Sequence, residues 1–119
     1  MSVIPFDQRD GVIWFDGKLV PWKDARIHVL THGLHYGSCI FEGERSYDGV
    51  IYKSTEHSQR FHKSAEIMDF TIPYSVAELD AAKYLCLKEN GLKDAYLRPV
   101  AWRGSEMMAV SGMNNKIHT

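Results

Sequence analysis

The stretch HGLHYGSCIFEGERSYDG, residues 32–49, decides how this chain is read. Residues 39–47 have the composition of a strand, and Asp48-Gly49 is a hairpin signal leading into a second strand over 50–53. A period of two puts Cys39, Phe41, Gly43, Arg45 and Tyr47 on one face and Ile40, Glu42, Glu44 and Ser46 on the other. Glycine costs packing and backbone entropy inside a strand, so Gly43 calls for a bulge or a close ligand approach. Imidazoles, tyrosines, a thiol and an arginine set among glycines are a poor recipe for a plain strand. Glycine lets ligands near the backbone, while aromatics and arginine supply stacking surface and anion donors. The segment reads as part of a site, without an obvious complete one.

Upstream, residues 12–15 and 18–20 are apolar runs joined by Asp16-Gly17, a second hairpin signal closed by Pro21. Residues 25–30 alternate loosely, with Ile27 and Val29 on one face and His28 on the other, and 32–37 form a compact turn or one helical turn. Downstream, Ser54 or Thr55 caps a helix running to about 69, with Phe61, Ala65 and Met68 at core-facing spacing. After Pro73, Ser75 and Glu78 make a capping box, and Tyr74 with Leu79 makes a hydrophobic staple. Leu79, Ala82 and Cys86, with Leu85 beside them, mark the buried face of this second helix, which stops at Asn90-Gly91. Residues 95–102 read as a strand interrupted at Pro99, with Tyr96 and Arg98 on one face. Residues 107–110 read as a last short strand. The closing SGMNNKIHT is polar and aperiodic, a tail or the interior of a longer chain. Strands, two consecutive helices, then strands predict an α+β fold of two layers: a largely antiparallel sheet with both helices on one side.

The 119 residues suit one domain, and 45% hydrophobic content supports a core. A formal net charge of −1 gives no polyanion footprint, so nucleic acid is not an expected partner, and no run approaches a membrane-spanning length, so neither is a membrane. Two cysteines outside any CxxC pair imply a reducing setting, and the start MSVIPFDQRDG lacks the pattern of a signal peptide, so the cytoplasm is expected.

Among single residues, His28, His32 and His35 straddle a strand-to-turn boundary, and buried or supporting roles suit them better than metal ligation. Arg60 is either a solvated ion-pairing residue or a clamp for phosphate or carboxylate. Tyr96 and Arg98, a phenol and a guanidinium on one strand face, make a carboxylate-recognition pair, against the plainer alternative of an exposed sheet face. Arg45 has Glu42 and Glu44 close by in sequence and reads as charge balance. Cys39 reads as a small buried hydrophobe. No GxSxG, P-loop or GxGxxG motif is present.

The segments IWFDGKLVPWKDARIHVLTHGLHYGSCIFEGERSYDG (13–49), HSQRFHKSAEIMDF (57–70) and AYLRPVAWRG (95–104) together resemble the start of branched-chain amino acid aminotransferases, class-IV enzymes of fold type IV that use pyridoxal 5′-phosphate. The resemblance implies that Arg60 of the QRxH segment contacts the cofactor phosphate. It implies that Phe41 and Gly43 of the FEG motif lie beside the substrate and that Tyr36 of HYG reaches a neighbouring subunit's active site. Tyr96 becomes a pocket wall, and Arg98 the receptor for the side-chain carboxylate of glutamate. The implied reaction moves the amino group of leucine, isoleucine or valine to 2-oxoglutarate in a dimer or higher homo-oligomer. The cofactor-bearing lysine belongs to the family's second domain, which no segment here matches. Residues 1–119 are therefore expected to be the N-terminal small domain or a fragment, inactive alone, with no catalytic residue of its own and no stably bound cofactor. D-amino-acid aminotransferase and aminodeoxychorismate lyase are alternatives of the same fold. A non-catalytic binding or interaction module is the alternative outside enzymology.

Overall fold

The computed structural model describes residues 3–119. β1 (Val12–Phe15) and β2 (Lys18–Pro21) form a two-residue hairpin, with Phe15 opposite Lys18. Asp16 and Gly17 both take positive φ, 50° and 93°, the geometry whose twist matches paired strands. The short helix α1 (His32–Tyr36) closes on Gly37 in the left-handed region. Next come β3 (Cys39–Phe41), β4 (Glu44–Tyr47) and β5 (Val50–Ile51), the helices α2 (Ser54–Ile67) and α3 (Val76–Glu89), then β6 (Ala95–Leu97), β7 (Val100–Arg103) and β8 (Ile117–His118). Every recorded strand pairing is antiparallel. The strands form three small sheets, β1-β2, β3-β7-β8 and β5-β4-β6. The expected α+β architecture, with two consecutive helices packed on strands, is the one observed.

The strand expected over 39–47 is two strands, and the one over 95–102 is interrupted around Pro99, as expected. Both breaks fall at the same place. Phe41 pairs with Val100 in one sheet and Glu44 with Leu97 in the next. Between them the Glu42 N–H donates to the Pro99 carbonyl at 2.9 Å. Pro99 has no N–H to return, so the ladder cannot run through, and Gly43 beside it carries no side chain to obstruct the bend. The alternation of faces survives the break. Ile40, Glu42, Glu44 and Ser46 are buried, while Cys39, Phe41, Arg45 and Tyr47 are exposed.

The buried face meets α2 and α3. Ile40, Phe61, Ala65, Phe70, Ile72, Leu79 and Ala101 form one core, and Ile51, Leu87 and Leu97 a second. The capping box is present: the Glu78 N–H donates to Ser75 Oγ at 3.1 Å. Tyr74 packs on the cluster that contains Leu79, as the staple requires. Asn90 caps α3 and bonds the hairpin through both its amide atoms, to Val12 N at 2.9 Å and Val12 O at 3.0 Å.

Several expectations fail for identifiable reasons. Ser54 and Thr55 do not cap α2. Their hydroxyls donate to Asp80 at 3.0 and 2.8 Å, and Lys53 takes the cap position with φ 58°, which also ends the strand before it at Ile51. Met68 is exposed because α2 ends at Ile67, and the following turn sends Phe70 and Ile72 inward instead. Leu85 is exposed, and Lys83 and Leu87 occupy the buried face of α3. Residues 25–30 find no partner strand and stay irregular. Residues 107–110 form a loop rather than a strand, with Asn115 Nδ2 donating to the Met107 carbonyl at 2.9 Å. The polar end of the chain is ordered. Asn115 is buried, β8 pairs with β7, and Asp16 accepts from Thr119 N at 2.9 Å and bonds His118 Nδ1 at 2.6 Å.

Two carboxylates on the inner face need cations. Lys83, 7% exposed, sits 2.8 Å from Glu44 Oε1 in an ion pair whose direction falls short of a hydrogen bond. Its ammonium donates instead to Ser58 Oγ at 2.7 Å and the Ser54 carbonyl at 3.0 Å. Burial pushes the Glu44 carboxyl up, against the pull of Lys83. Lys83→Met strands that carboxylate. It is expected to destabilise this chain by about 3–5 kcal/mol in urea unfolding, and adding Glu44→Leu recovers most of the loss. A Lys83→Met variant as stable as the parent contradicts the role given to the pair.

Candidate functional site

The tripeptide Phe41-Glu42-Gly43 sits at the break between the two sheets and faces both ways. On the exposed side, the Arg98 guanidinium carbon lies 4.1 Å from the centre of the Phe41 ring and 5.3 Å from that of Tyr96. Arg98 Nε donates to the Tyr96 hydroxyl at 2.8 Å. A cation over an aromatic face at an exposed site gains about 0.5–1 kcal/mol, so two rings and a hydrogen bond hold this guanidinium against its rotamer entropy. Gly43 lies directly beneath the phenol, since a Cβ there would stand 2.8 Å from the Tyr96 oxygen. Close approach therefore explains the glycine, and the approaching group is Tyr96.

On the inner side, Glu42 grips α2. Arg60 Nε donates to Glu42 Oε2 at 2.8 Å and Arg60 Nη2 to Oε1 at 2.7 Å, a bidentate pair. His57 Nδ1, one helical turn before Arg60, bonds Oε1 at 2.6 Å. Burial pushes the Glu42 carboxyl up, but the hydrogen bonds and charges of Arg60 and His57 outweigh it and leave it below the ordinary carboxylate range. The Glu42 side chain is 4% exposed and that of Arg60 is 67% exposed. The pair consumes the Nε–Nη2 edge. Among the described residues Nη1 makes no hydrogen bond, so a second edge of the fork is open to solvent.

The structure thus brings Phe41, Gly43, Tyr96 and Arg98 together and sets Arg60 behind the same tripeptide. Tyr36 stands apart at the end of α1, exposed, its ring 4.5 Å from that of His32. The histidines that punctuate this region bond elsewhere. His28 Nδ1 accepts from Leu30 N at 3.0 Å, and His35 Nε2 bonds the Val29 carbonyl at 2.8 Å. Buried His32 bridges Ser38 Oγ at 2.5 Å and the Ala109 carbonyl at 2.9 Å.

Two readings of single residues change. Arg45 does not balance Glu42 or Glu44, because the pleat points it to the opposite face, where it lies 6.0 Å from the Tyr47 ring. Cys39 is exposed, not buried, because it shares the outer face of β3 with Phe41. Glu42 and His57 were not singled out from the sequence. The available signal was an acidic residue on a face otherwise destined for burial, with no neighbour in sequence to neutralise it there. A cavity of about 600 Å³ lies between β1, α3 and the β6–β7 segment, lined by Trp14, Leu87, Leu97 and Trp102 and reaching Tyr96 and Arg98.

A split antiparallel sheet with two helices on one face, carrying this tripeptide and a Tyr-x-Arg-Pro strand, defines a class of domain. The sequence profile of amino-transferase class IV matches residues 39–119, and the chain belongs to that family. It is 47% identical over 111 residues to the probable branched-chain-amino-acid aminotransferase of Rickettsia felis, an alignment covering 93% of this chain and 38% of the relative. The solved structure of the branched-chain amino acid aminotransferase from Escherichia coli superposes with a TM-score of 0.88 at 38% identity, over 92% of this chain and 39% of that one. The branched-chain amino acid aminotransferase of T.th., crystallised in complex with N-(5′-phosphopyridoxyl)-L-glutamate, superposes at 0.86 with 35% identity, over 92% of this chain and 40% of that one. The chain thus spans well under half the length of the relatives it matches. Among the described residues no helix is long and apolar enough to cross a membrane.

Gly43→Ala places a methyl group against the Tyr96 hydroxyl and is expected to turn the phenol away and break its bond to Arg98. A crystal structure of the variant with Tyr96 and Arg98 unmoved would contradict the close-packing reason for this glycine.

Proposed function

We propose that this chain is the N-terminal domain of a two-domain, pyridoxal-phosphate-dependent branched-chain amino acid aminotransferase. In this reading it transfers the amino group of leucine, isoleucine or valine to 2-oxoglutarate, in the cytoplasm and as a homo-oligomer. The observation that carries the reading is the Arg98 guanidinium clamped over Phe41 and Tyr96. Such a site offers an apolar wall to an aliphatic side chain and a fixed cation at its edge to a carboxylate. One pocket then serves both partners of the reaction without rebuilding. Apolar burial retains the branched chain, and the guanidinium compensates the glutamate carboxylate for its lost hydration.

The residues present suit the cofactor. Arg60 offers a solvent-facing edge of donors on a side chain already anchored from behind, which is the chemistry a phosphate dianion needs. When bound, pyridoxal 5′-phosphate supplies a carbonyl that takes up the amino group and a ring that withdraws the electron pair left at the substrate α-carbon. This chain's part is to hold and orient. Arg60 fixes the phosphate, Phe41 and Gly43 shape the substrate side, and Tyr96 and Arg98 set which side chains fit. Tyr36, exposed at the end of α1, is left to serve the site of a neighbouring subunit. No lysine of this chain is assigned to covalent attachment of the cofactor, so the domain alone is expected to be inactive.

The test is Arg98→Ala in the full-length enzyme. It is expected to lower kcat/KM for glutamate and 2-oxoglutarate by about tenfold or more, the worth of a charge-assisted hydrogen bond, with leucine handling changed far less. Equal losses for both substrates overturn the assignment of Arg98.

A further inference from the structure

We infer that Glu42 is a positioning residue for anion binding: it presets the Arg60 guanidinium so that its free edge meets the cofactor phosphate. The inference rests on the reading of Arg60 given above and adds to it a residue that neither the motifs nor the family resemblance assigned.

The geometry carries it. An arginine side chain on a helix surface samples many rotamers, and a phosphate that binds it loses affinity in arresting them. Here that ordering is done during folding. Glu42 Oε2 accepts from Nε at 2.8 Å and Oε1 from Nη2 at 2.7 Å, so the plane and direction of the guanidinium are both set. Among the described residues only the edge carrying Nη1 is left for a ligand. Glu42 itself cannot swing, because it is 4% exposed on the inner face of the chain and its backbone N–H is bonded to the Pro99 carbonyl.

An opposing effect has to be weighed. A carboxylate behind the arginine reduces its net attraction for an anion. Two observations favour positioning over repulsion. The carboxylate charge is shared with a second donor, since His57 Nδ1 bonds Oε1 at 2.6 Å. Further, the carboxylate is buried and lies on the far edge of the guanidinium from the open donors, so it orders the fork without competing for the ligand.

The arrangement also links two places in the site. Phe41 packs under Arg98 on the exposed side while Glu42, the next residue, holds Arg60 on the other. A shift of this one tripeptide moves the substrate wall and the phosphate clamp together.

The test uses the full-length apoenzyme and measures dissociation constants for pyridoxal 5′-phosphate and for phosphate-free pyridoxal by absorbance or fluorescence titration. The preference for the phosphorylated form is the readout, because a general loss of structure weakens both ligands alike. Glu42→Gln is expected to lower that preference by about tenfold, from losing an ion-assisted constraint, with pyridoxal binding changed less than about twofold. Glu42→Asp keeps the charge but not the reach and is expected to fall between the two, and it serves if Glu42→Gln folds poorly. In an Arg60→Ala background, Glu42→Gln is expected to change the preference no further. If Arg60→Ala lowers the preference and Glu42→Gln does not, the positioning role is overturned while the reading of Arg60 stands. Tighter phosphate binding in Glu42→Gln overturns it too, since repulsion then outweighs ordering. If Arg60→Ala leaves the preference unchanged, the reading of Arg60 fails and this inference with it.

Discussion

Two carboxylates buried on the inner face of one strand pair govern much of how this domain is put together. Glu42 and Glu44 lie two residues apart, and the pleat turns both toward the helices. A buried charge without a partner costs several kcal/mol, so helices docked there have to bring cations. α2 brings Arg60 and His57 to Glu42, and α3 brings Lys83 to Glu44. Hydrophobic contact alone would tolerate a helix sliding along the sheet. Charged pairs of defined geometry resist such sliding because each displaced cation leaves an anion uncompensated. The hydroxyls of Ser54, Thr55 and Ser58, all donating to Asp80, tie the two helices to each other at the same level. Burial pushes the Asp80 carboxyl up, and these hydrogen bonds with the nearby Lys83 charge bring it below its usual range.

The same strand pair explains why the site lies where it does. β3 and β7 leave one sheet as β4 and β6 enter the next, and the crossing point holds Glu42, Gly43, Arg98 and Pro99. A continuous ladder would commit the backbone to pairing and flatten the surface. The break instead lets side chains from adjacent strands stack on one another. Arg98 lies over Phe41, and Tyr96 closes over the bare backbone of Gly43. Phe41, Gly43, Tyr96 and Arg98 therefore gather at a discontinuity in the sheet, and Glu42 ties Arg60 of α2 to the same place, while Tyr36 lies at the end of α1.

A good deal of this was legible in the sequence. The Asp16-Gly17 turn, the Ser75–Glu78 cap and the Asn90-Gly91 stop are local chemistry, decided within a few residues, and each is found as expected. The alternation across 39–47 is also local, and it assigned the faces correctly even through the break at Gly43. The failures share a different cause. Ser54 and Thr55 are good capping residues, but Asp80, more than twenty positions away, competes for their hydroxyls and wins. The apolar run at 107–110 has strand composition but pairs with no strand among the described residues. The polar segment after it finds one in β7 and becomes β8.

By itself the sequence determined the two Asp-Gly turns, the cap and the stop of α3, and the face on which each residue of the central strand lies, because these follow from neighbouring backbone and side-chain preferences. The set of motifs in order also determined the family. Only the tertiary structure decided who neutralises whom. Arg60 answers to Glu42 and Lys83 to Glu44, while Arg45, the cation nearest both in sequence, answers to neither. The physical reason is that a strand separates adjacent residues onto opposite faces, so charge partners on a sheet come from whatever packs against that face.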